Sequence, residues 1–337
     1  MEWIPPALAA CRLCATRCVL LGVVALLLSG CDGPQSSFVH AGEDAATIGR
    51  QFRVMIIGAG LIWAIVMGLA LYAMLLRPDR RHGRHVSFWV IGGGVAFPSV
   101  VLLALLIWGL STMPGLHAPS RDASADRIEV SGERWWWRVR YVSADGTSTE
   151  SANEVRLPLG QRIDIELVSP DVIHSFWIPS LGGKLDMIPG RRNRYSLKAT
   201  QPGVFNGVCA EYCGTAHAQM LFKAVVLRRD EFERWKQAQA EPAVERAGVG
   251  FEAFIANGCG ACHTIRGTQA KGFIGPDLTH VGSRLSLGAG ILPMDSTALT
   301  RWIAHTAQAK PGVLMPNYAM LPPDEIEAIA HYLSRLQ

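Results

Sequence analysis

The sequence predicts a multi-domain chain: a transmembrane α-helical hairpin, then a β-sandwich domain, then an all-α domain. Three observations carry this. Residues 54–76 and 86–116 form two long apolar runs without a single Asp, Glu, Lys or Arg. Residues 127–229 hold short, β-branched, often alternating segments such as Arg162-Ile-Asp-Ile-Glu-Leu-Val168, punctuated by Gly and Pro, which is the pattern of an antiparallel sandwich. From Val249 the pattern turns helical, most clearly over 299–309 and 323–336. Composition agrees. Of 337 residues, 49% are hydrophobic and 18% charged, against about a quarter charged in a soluble domain. Parts of the chain therefore avoid water, and disorder and collagen are excluded. A net charge of +4 gives no argument for a nucleic-acid partner.

Taken in order, residues 18–28 form an apolar stretch after Arg12 and Arg17. It is too short for a bilayer core that needs about 20 residues, and reads as an export signal over 1–30. Its end, Leu28-Ser29-Gly30-Cys31, resembles the lipobox of bacterial lipoproteins. That resemblance implies a lipid-modified Cys31; the alternative is a plain signal peptide with a chance cysteine. Cys11, Cys14 and Cys18 fall in the discarded part. An external segment, 31–52, leads to the hairpin, 53–116. At ~1.5 Å per residue, the run 54–76 reaches roughly 34 Å, enough for a hydrocarbon core of about 30 Å. The connector Arg77-Pro-Asp-Arg-Arg-His-Gly-Arg84 holds four arginines, which keeps it cytoplasmic and puts everything after residue 116 outside. A lipidated Cys31 gives the same topology.

The sandwich domain is expected over 117–229, a helical linker rich in Glu, Gln, Arg and Ala over 230–247, and the helical domain over 248–337. Pro322-Pro323-Asp324-Glu325 places proline and acid at the start of the last helix.

Two constellations carry chemistry. Cys259-Gly-Ala-Cys262-His263 is the attachment signature of c-type haem: two thiols for the vinyl groups and His263 for the iron. A methionine sixth ligand suits a haem that only passes electrons. Met294, Met315 and Met320 are available. Met315, in the proline-bracketed stretch Pro311-Gly-Val-Leu-Met315-Pro316, is assigned, and Met320 is read as a core residue. The second constellation is Cys209-Ala-Glu211-Tyr-Cys213-Gly-Thr-Ala-His217-Ala-Gln-Met220, preceded by His174. Thiolate, imidazole and thioether form the ligand set of electron-transfer copper sites. Two cysteines, two histidines and one methionine suffice for two copper ions bridged by thiolates; the alternative is a Cys209–Cys213 disulfide.

This loop resembles the dinuclear copper motif C-x-E-x-C-x-x-x-H-x-x-M of subunit II of cytochrome c oxidases, as does the preceding hairpin. The whole chain is similar to the bacterial version with a C-terminally fused cytochrome c. The resemblance implies a cupredoxin-like sandwich and a class I cytochrome c domain. It implies that His174, Cys209, Cys213, His217, Met220 and the Glu211 carbonyl bind the copper pair (CuA), and that the Glu211 side chain meets a possible magnesium ion at the subunit I boundary. Lys184-Leu-Asp-Met-Ile-Pro-Gly-Arg191 resembles the family's docking loop. Gly132-Glu-Arg-Trp135-Trp136-Trp137 resembles its aromatic strand, with Trp135 where electrons enter, Trp137 packed, and Trp136 on the opposite face. The implied partners are subunit I with its haem–copper oxygen site, other oxidase subunits, a soluble or membrane electron donor, and membrane lipid. The implied location is the bacterial plasma membrane, multi-pass, with copper and cytochrome domains on the periplasmic side. One departure is the stretch Arg84-His-Val-Ser-Phe-Trp89, which lacks the glutamate many members carry near the start of the second helix.

Neither apolar run contains a histidine, so this chain holds no histidine-ligated oxygen site in the membrane and must pass electrons to a partner that does. The resulting expectation is a relay from an external donor through haem c and CuA to subunit I, where dioxygen is reduced to water with proton translocation. The fused domain would meet its acceptor as a tethered partner. A copper-containing nitric oxide reductase small subunit would use similar parts. A membrane-anchored copper chaperone would need no covalent haem. His40, His82, His85, His117, His280, His305 and His331 have no evident partner in sequence.

Overall fold

In a computed structural model of the chain, residues 22–23, 33, 35–75, 86–116, 127–245 and 247–337 are described. Cys11, Cys14, Cys18 and Cys31, the arginine connector with His82 and His85, and His117 lie outside them. Helix α1 spans Glu43–Leu75. After the connector, a π-helical stretch, Phe88–Ala96, leads into α2, Phe97–Leu116. The apolar windows of both are 0% buried, as suits helices whose backbone groups are satisfied internally and whose side chains meet lipid. Gln51 Nε2 donates to Thr112 Oγ1 at 2.5 Å, joining the start of α1 to the end of α2 as a hairpin requires.

The expected external segment, 31–52, is helical from Glu43, and its first turn docks on the sandwich. Ala41 N donates to Ser180 O at 2.8 Å, and Gly42 bridges Ala199. Arg162 reaches Glu43 at 3.3 Å and Asp44 at 3.4 Å, and Lys198 reaches Glu43 at 3.2 Å.

Ten strands follow: β1 (Arg127–Glu133), β2 (Trp136–Val142), β3 (Ser148–Ala152), β4 (Glu154–Pro158), β5 (Arg162–Val168), β6 (His174–Trp177), β7 (Leu185–Met187), β8 (Asn193–Lys198), β9 (Gly203–Cys209) and β10 (Leu221–Leu227). They form two five-stranded sheets, β3-β2-β1-β5-β8 and β4-β10-β9-β6-β7, the cupredoxin-like sandwich. The expected antiparallel pairing needs correction in two places: β1 with β5 and β4 with β10 run parallel. The chain changes sheets after β3 at Asn153, buried at φ 61, whose Oδ1 accepts from Trp137 N at 2.9 Å. That crossing brings β5 back beside β1 in the same direction.

Alternation places Ile128, Val130, Ile163, Ile165 and Leu167 inside. At the centre the Phe222 ring stacks on Phe176 at 4.7 Å and lies 5.0 Å from Trp137. Phe222→Ala is expected to cost about 3–5 kcal/mol, the usual range for an emptied aromatic site. A denaturant midpoint shift worth under ~1 kcal/mol would contradict this reading of the core.

Helix α3 (Arg229–Ala240) occupies most of the segment expected as a helical linker over 230–247. It packs on the sandwich through buried Phe232 and through Trp235, 4.9 Å from Tyr141, and residues 241–245 are non-helical. The last unit comprises α4 (Val249–Ala256), α5 (Ser296–Ala304), α6 (Thr306–Ala309) and α7 (Pro323–Arg335). The helix expected over 299–309 is therefore two. It starts early because Asp295 Oδ1 caps Ala298 N at 2.7 Å, and it breaks at His305, where φ is −135. Phe254, Leu299, Ile329 and Tyr332 form the core. Met320, expected in that core, is 76% exposed. His280 is buried, with Nε2 at 3.0 Å from Glu241 O.

Candidate functional site

The copper-type ligands converge at one end of the sandwich. His174 opens β6, Cys209 closes β9, and Cys213, His217 and Met220 sit on the loop leading into β10. Cys209 Sγ lies 3.8 Å from Cys213 Sγ, 3.7 Å from His174 Nδ1 and 3.2 Å from Glu211 O. Cys213 Sγ lies 3.5 Å from His217 Nδ1 and 3.8 Å from Met220 Sδ. The ligand atoms of His174, Cys209 and Cys213 fall within 4.8 Å of one another. A disulfide needs about 2.05 Å, so the two sulfurs stand apart as separate donors. His174 and Met220 are 0% exposed and both cysteines are buried. Soft sulfur and imidazole donors packed this closely suit copper.

The electrostatics follow from crowding. The Cys213 thiol beside Cys209 pulls the Cys209 pKa down to about 3. The resulting thiolate pushes the Cys213 thiol up. His174 Nε2 sits 2.9 Å from Asp171 Oδ1. The carboxylate accepts, so Nε2 carries the hydrogen and Nδ1 turns to the sulfur. Burial raises the Asp171 pKa, but bonds from His174, Val172 N and Arg134 N outweigh it and hold the acid at about 2. Asp171 carries no signal in the sequence, where it looks like any solvated turn acid. The Glu211 side chain is 44% exposed and 3.7 Å from Lys184 Nζ.

In the helical unit Cys259, Cys262, His263, Met294 and Met315 line one largely apolar cavity. His263 Nδ1 is 2.8 Å from Pro276 O. A carbonyl can only accept, so Nδ1 carries the hydrogen and Nε2 keeps its lone pair for a metal. Burial lowers the His263 pKa and keeps the ring neutral. Gly275 is a cradle: a Cβ there would lie 2.5 Å from His263 Cε1. The Met315 loop is clamped on Thr306, whose Oγ1 lies 3.2 Å from Met315 O, 3.0 Å from Pro316 O and 2.9 Å from Asn317 Oδ1. Arg284 lines the cavity, as does Ser286, whose buried Oγ has no partner among the described residues. Paired thiols, a directed imidazole, a thioether and an unmet polar atom together fit a covalently held haem.

The two sites share a wall. Trp135, read from sequence as part of a strand, occupies the turn between β1 and β2. Its indole lines the haem-type cavity and donates from Nε1 to Cys213 O at 2.9 Å. Trp137 is 0% exposed, and Trp136, on the opposite face of the strand with Arg138 4.7 Å from its ring, lines the haem-type cavity beside Trp135. The helical unit is docked on the sandwich rather than merely tethered: Arg138 Nη2 donates to Phe273 O at 2.8 Å and Leu221 N to Ala289 O at 3.1 Å.

Residues 140–227 match the family described as cytochrome c oxidase subunit II, periplasmic domain, and residues 249–337 match the cytochrome c family. The chain is 31% identical to cytochrome c oxidase subunit 2 of Alkalihalophilus pseudofirmus, over 96% of this chain and 97% of that one. The chain belongs to the cytochrome c oxidase subunit 2 family. A second member, from Bacillus subtilis, is 28% identical over 95% of this chain and 97% of its own length. The crystal structure of the periplasmic domain of cytochrome oxidase subunit II from Bradyrhizobium japonicum is 32% identical, covers 34% of this chain and 92% of its own, and has a TM-score of 0.32. As a family member with a C-terminal cytochrome c domain, the chain is a membrane-anchored part of a haem–copper oxidoreductase complex and a partner of its subunit I. Copper and haem c are the cofactors that its two soluble domains imply.

Proposed function

We propose that this subunit relays electrons within the oxidase, with its soluble domains on the periplasmic face of a bacterial plasma membrane. When bound, haem c and a pair of copper ions supply one-electron storage in series, between an external donor and a subunit I that reduces dioxygen with proton translocation. Cys259 and Cys262 bond the haem, and His263 and Met315 ligate its iron. His174, Cys209, Cys213, His217, Met220 and the Glu211 carbonyl hold the copper pair, while the Glu211 carboxylate faces outward, available to magnesium at the subunit I boundary. Asp171 orients His174, and the aromatic core keeps water from the buried sulfurs.

The observation that carries this reading is Trp135, one indole that both lines the haem-type cavity and hydrogen-bonds the backbone of a copper-type ligand. Trp135→Ala is expected to leave two coppers for each haem and to slow electron transfer from haem to copper on the order of 10- to 100-fold, the scale of a small misplacement of reacting groups. Flash photoreduction of the purified complex measures it. An unchanged rate would remove the indole from the route.

A further inference from the structure

We propose that Lys310 is a positioning residue for haem-to-copper electron transfer, a pin that holds the cytochrome unit in register on the copper loop. The inference rests on the relay reading above. Lys310 belongs to the cytochrome unit, at the end of α6, yet it is 1% exposed. Its Nζ donates to Trp135 O at 2.6 Å, to Gln219 O at 2.8 Å and to Gly288 O at 2.8 Å. An ammonium has three hydrogens, and each finds a carbonyl from a different segment: the β1–β2 turn, the copper loop and the cytochrome domain.

Among the described residues no carboxylate pairs with Lys310: burial lowers its pKa to about 7, and the Cys213 sulfur is the group that favours its charged form. A buried cation with no carboxylate beside it is costly unless its hydrogen bonds are complete, so the three carbonyls must stay together for the lysine to remain where it is. The neighbouring chain adds the geometric link. Thr306, four residues earlier, clamps the Met315 loop. Gly312, at φ +85, runs so close to Trp135 that a Cβ there would lie 2.8 Å from the indole Cη2. One short stretch thus secures the candidate iron ligand, packs on the shared indole and grips the copper loop.

The test uses the whole oxidase complex carrying Lys310→Met or Lys310→Arg, with copper and haem content measured first. For Lys310→Met we expect parental contents, haem-to-copper transfer after a photoreduction pulse slowed at least about tenfold because three buried carbonyls lose their donor, and faster amide hydrogen exchange at residues 215–221 and 287–291. Residues 128–133 should keep their protection. Lys310→Arg, which retains charge and several donors, should recover most of the rate. Parental transfer in Lys310→Met overturns the proposal. So does slowed transfer with unchanged exchange, since the effect would not then act through position. Should Lys310→Met fail to assemble, Lys310→Gln supplies the same two readings. Failure of the relay reading shows differently, as a parent complex in which haem and copper exchange no electrons at all.

Discussion

Cys213→Ser is expected to abolish electron flow through the copper loop while leaving the cytochrome unit intact. The Cys213 sulfur is the hub of the cluster, 3.8 Å from Cys209 Sγ, 3.5 Å from His217 Nδ1 and 3.8 Å from Met220 Sδ. Serine replaces a polarisable sulfur by a shorter, hard oxygen that copper favours less, and neither metal of a thiolate-bridged pair would keep its full set. The backbone is untouched, so Cys213 O still accepts from Trp135 Nε1 and the junction with the haem cavity survives. Oxygen consumption by the complex should fall by more than about 100-fold, beyond the cost of losing an outer-shell partner. Copper per haem should drop, while haem attachment and reduction by an external donor persist. A variant that retains its copper and turns over within ~10-fold of the parent would remove Cys213 from the ligand set.

Met315→Leu is the second large effect. Leucine nearly conserves volume, so the cavity stays packed and the change isolates the sulfur. Attachment through Cys259 and Cys262 should continue, but the six-coordinate low-spin haem spectrum should be lost. The midpoint potential should fall, since a methionine opposite histidine raises it. Met294 lines the same cavity, and Met294→Leu is the control. If that variant loses the six-coordinate spectrum while Met315→Leu keeps it, the ligand is Met294. The Thr306 clamp on Met315 O, Pro316 O and Asn317 favours the stated outcome, because it holds the Met315 loop against the cavity in advance of the metal.

The chemistry legible in the sequence is whatever is confined to a short stretch of chain. Covalent haem attachment needs two thiols and a histidine almost in contact, so five residues declare it. Four of the copper-type ligands share one loop, at positions 209, 213, 217 and 220. The membrane helices announce themselves by the absence of charge. What could not be read depends on contacts across the chain. The Lys310 to Trp135 bond joins residues 175 apart, and nothing near Lys310 distinguishes it from a solvated lysine. Asp171 acquires its role only when β6 turns His174 toward it. Three consecutive tryptophans fit a strand's alternation equally well at a turn, which is why the sequence alone puts Trp135 in the strand. The parallel pairs β1/β5 and β4/β10 follow from a crossover at Asn153, and the break at His305 lies in a run without Gly or Pro.

Because α1 passes unbroken from the docked turn at Glu43 to Leu75, the copper domain stands on a mast rather than hanging from a string. A helix advances about 100° per residue, so the number of residues between the Arg162–Asp44 contact and the hydrocarbon boundary sets an azimuth as well as a height. Which side of the sandwich looks down on its neighbour in the membrane is thus a matter of helical phase, counted in residues that touch neither metal.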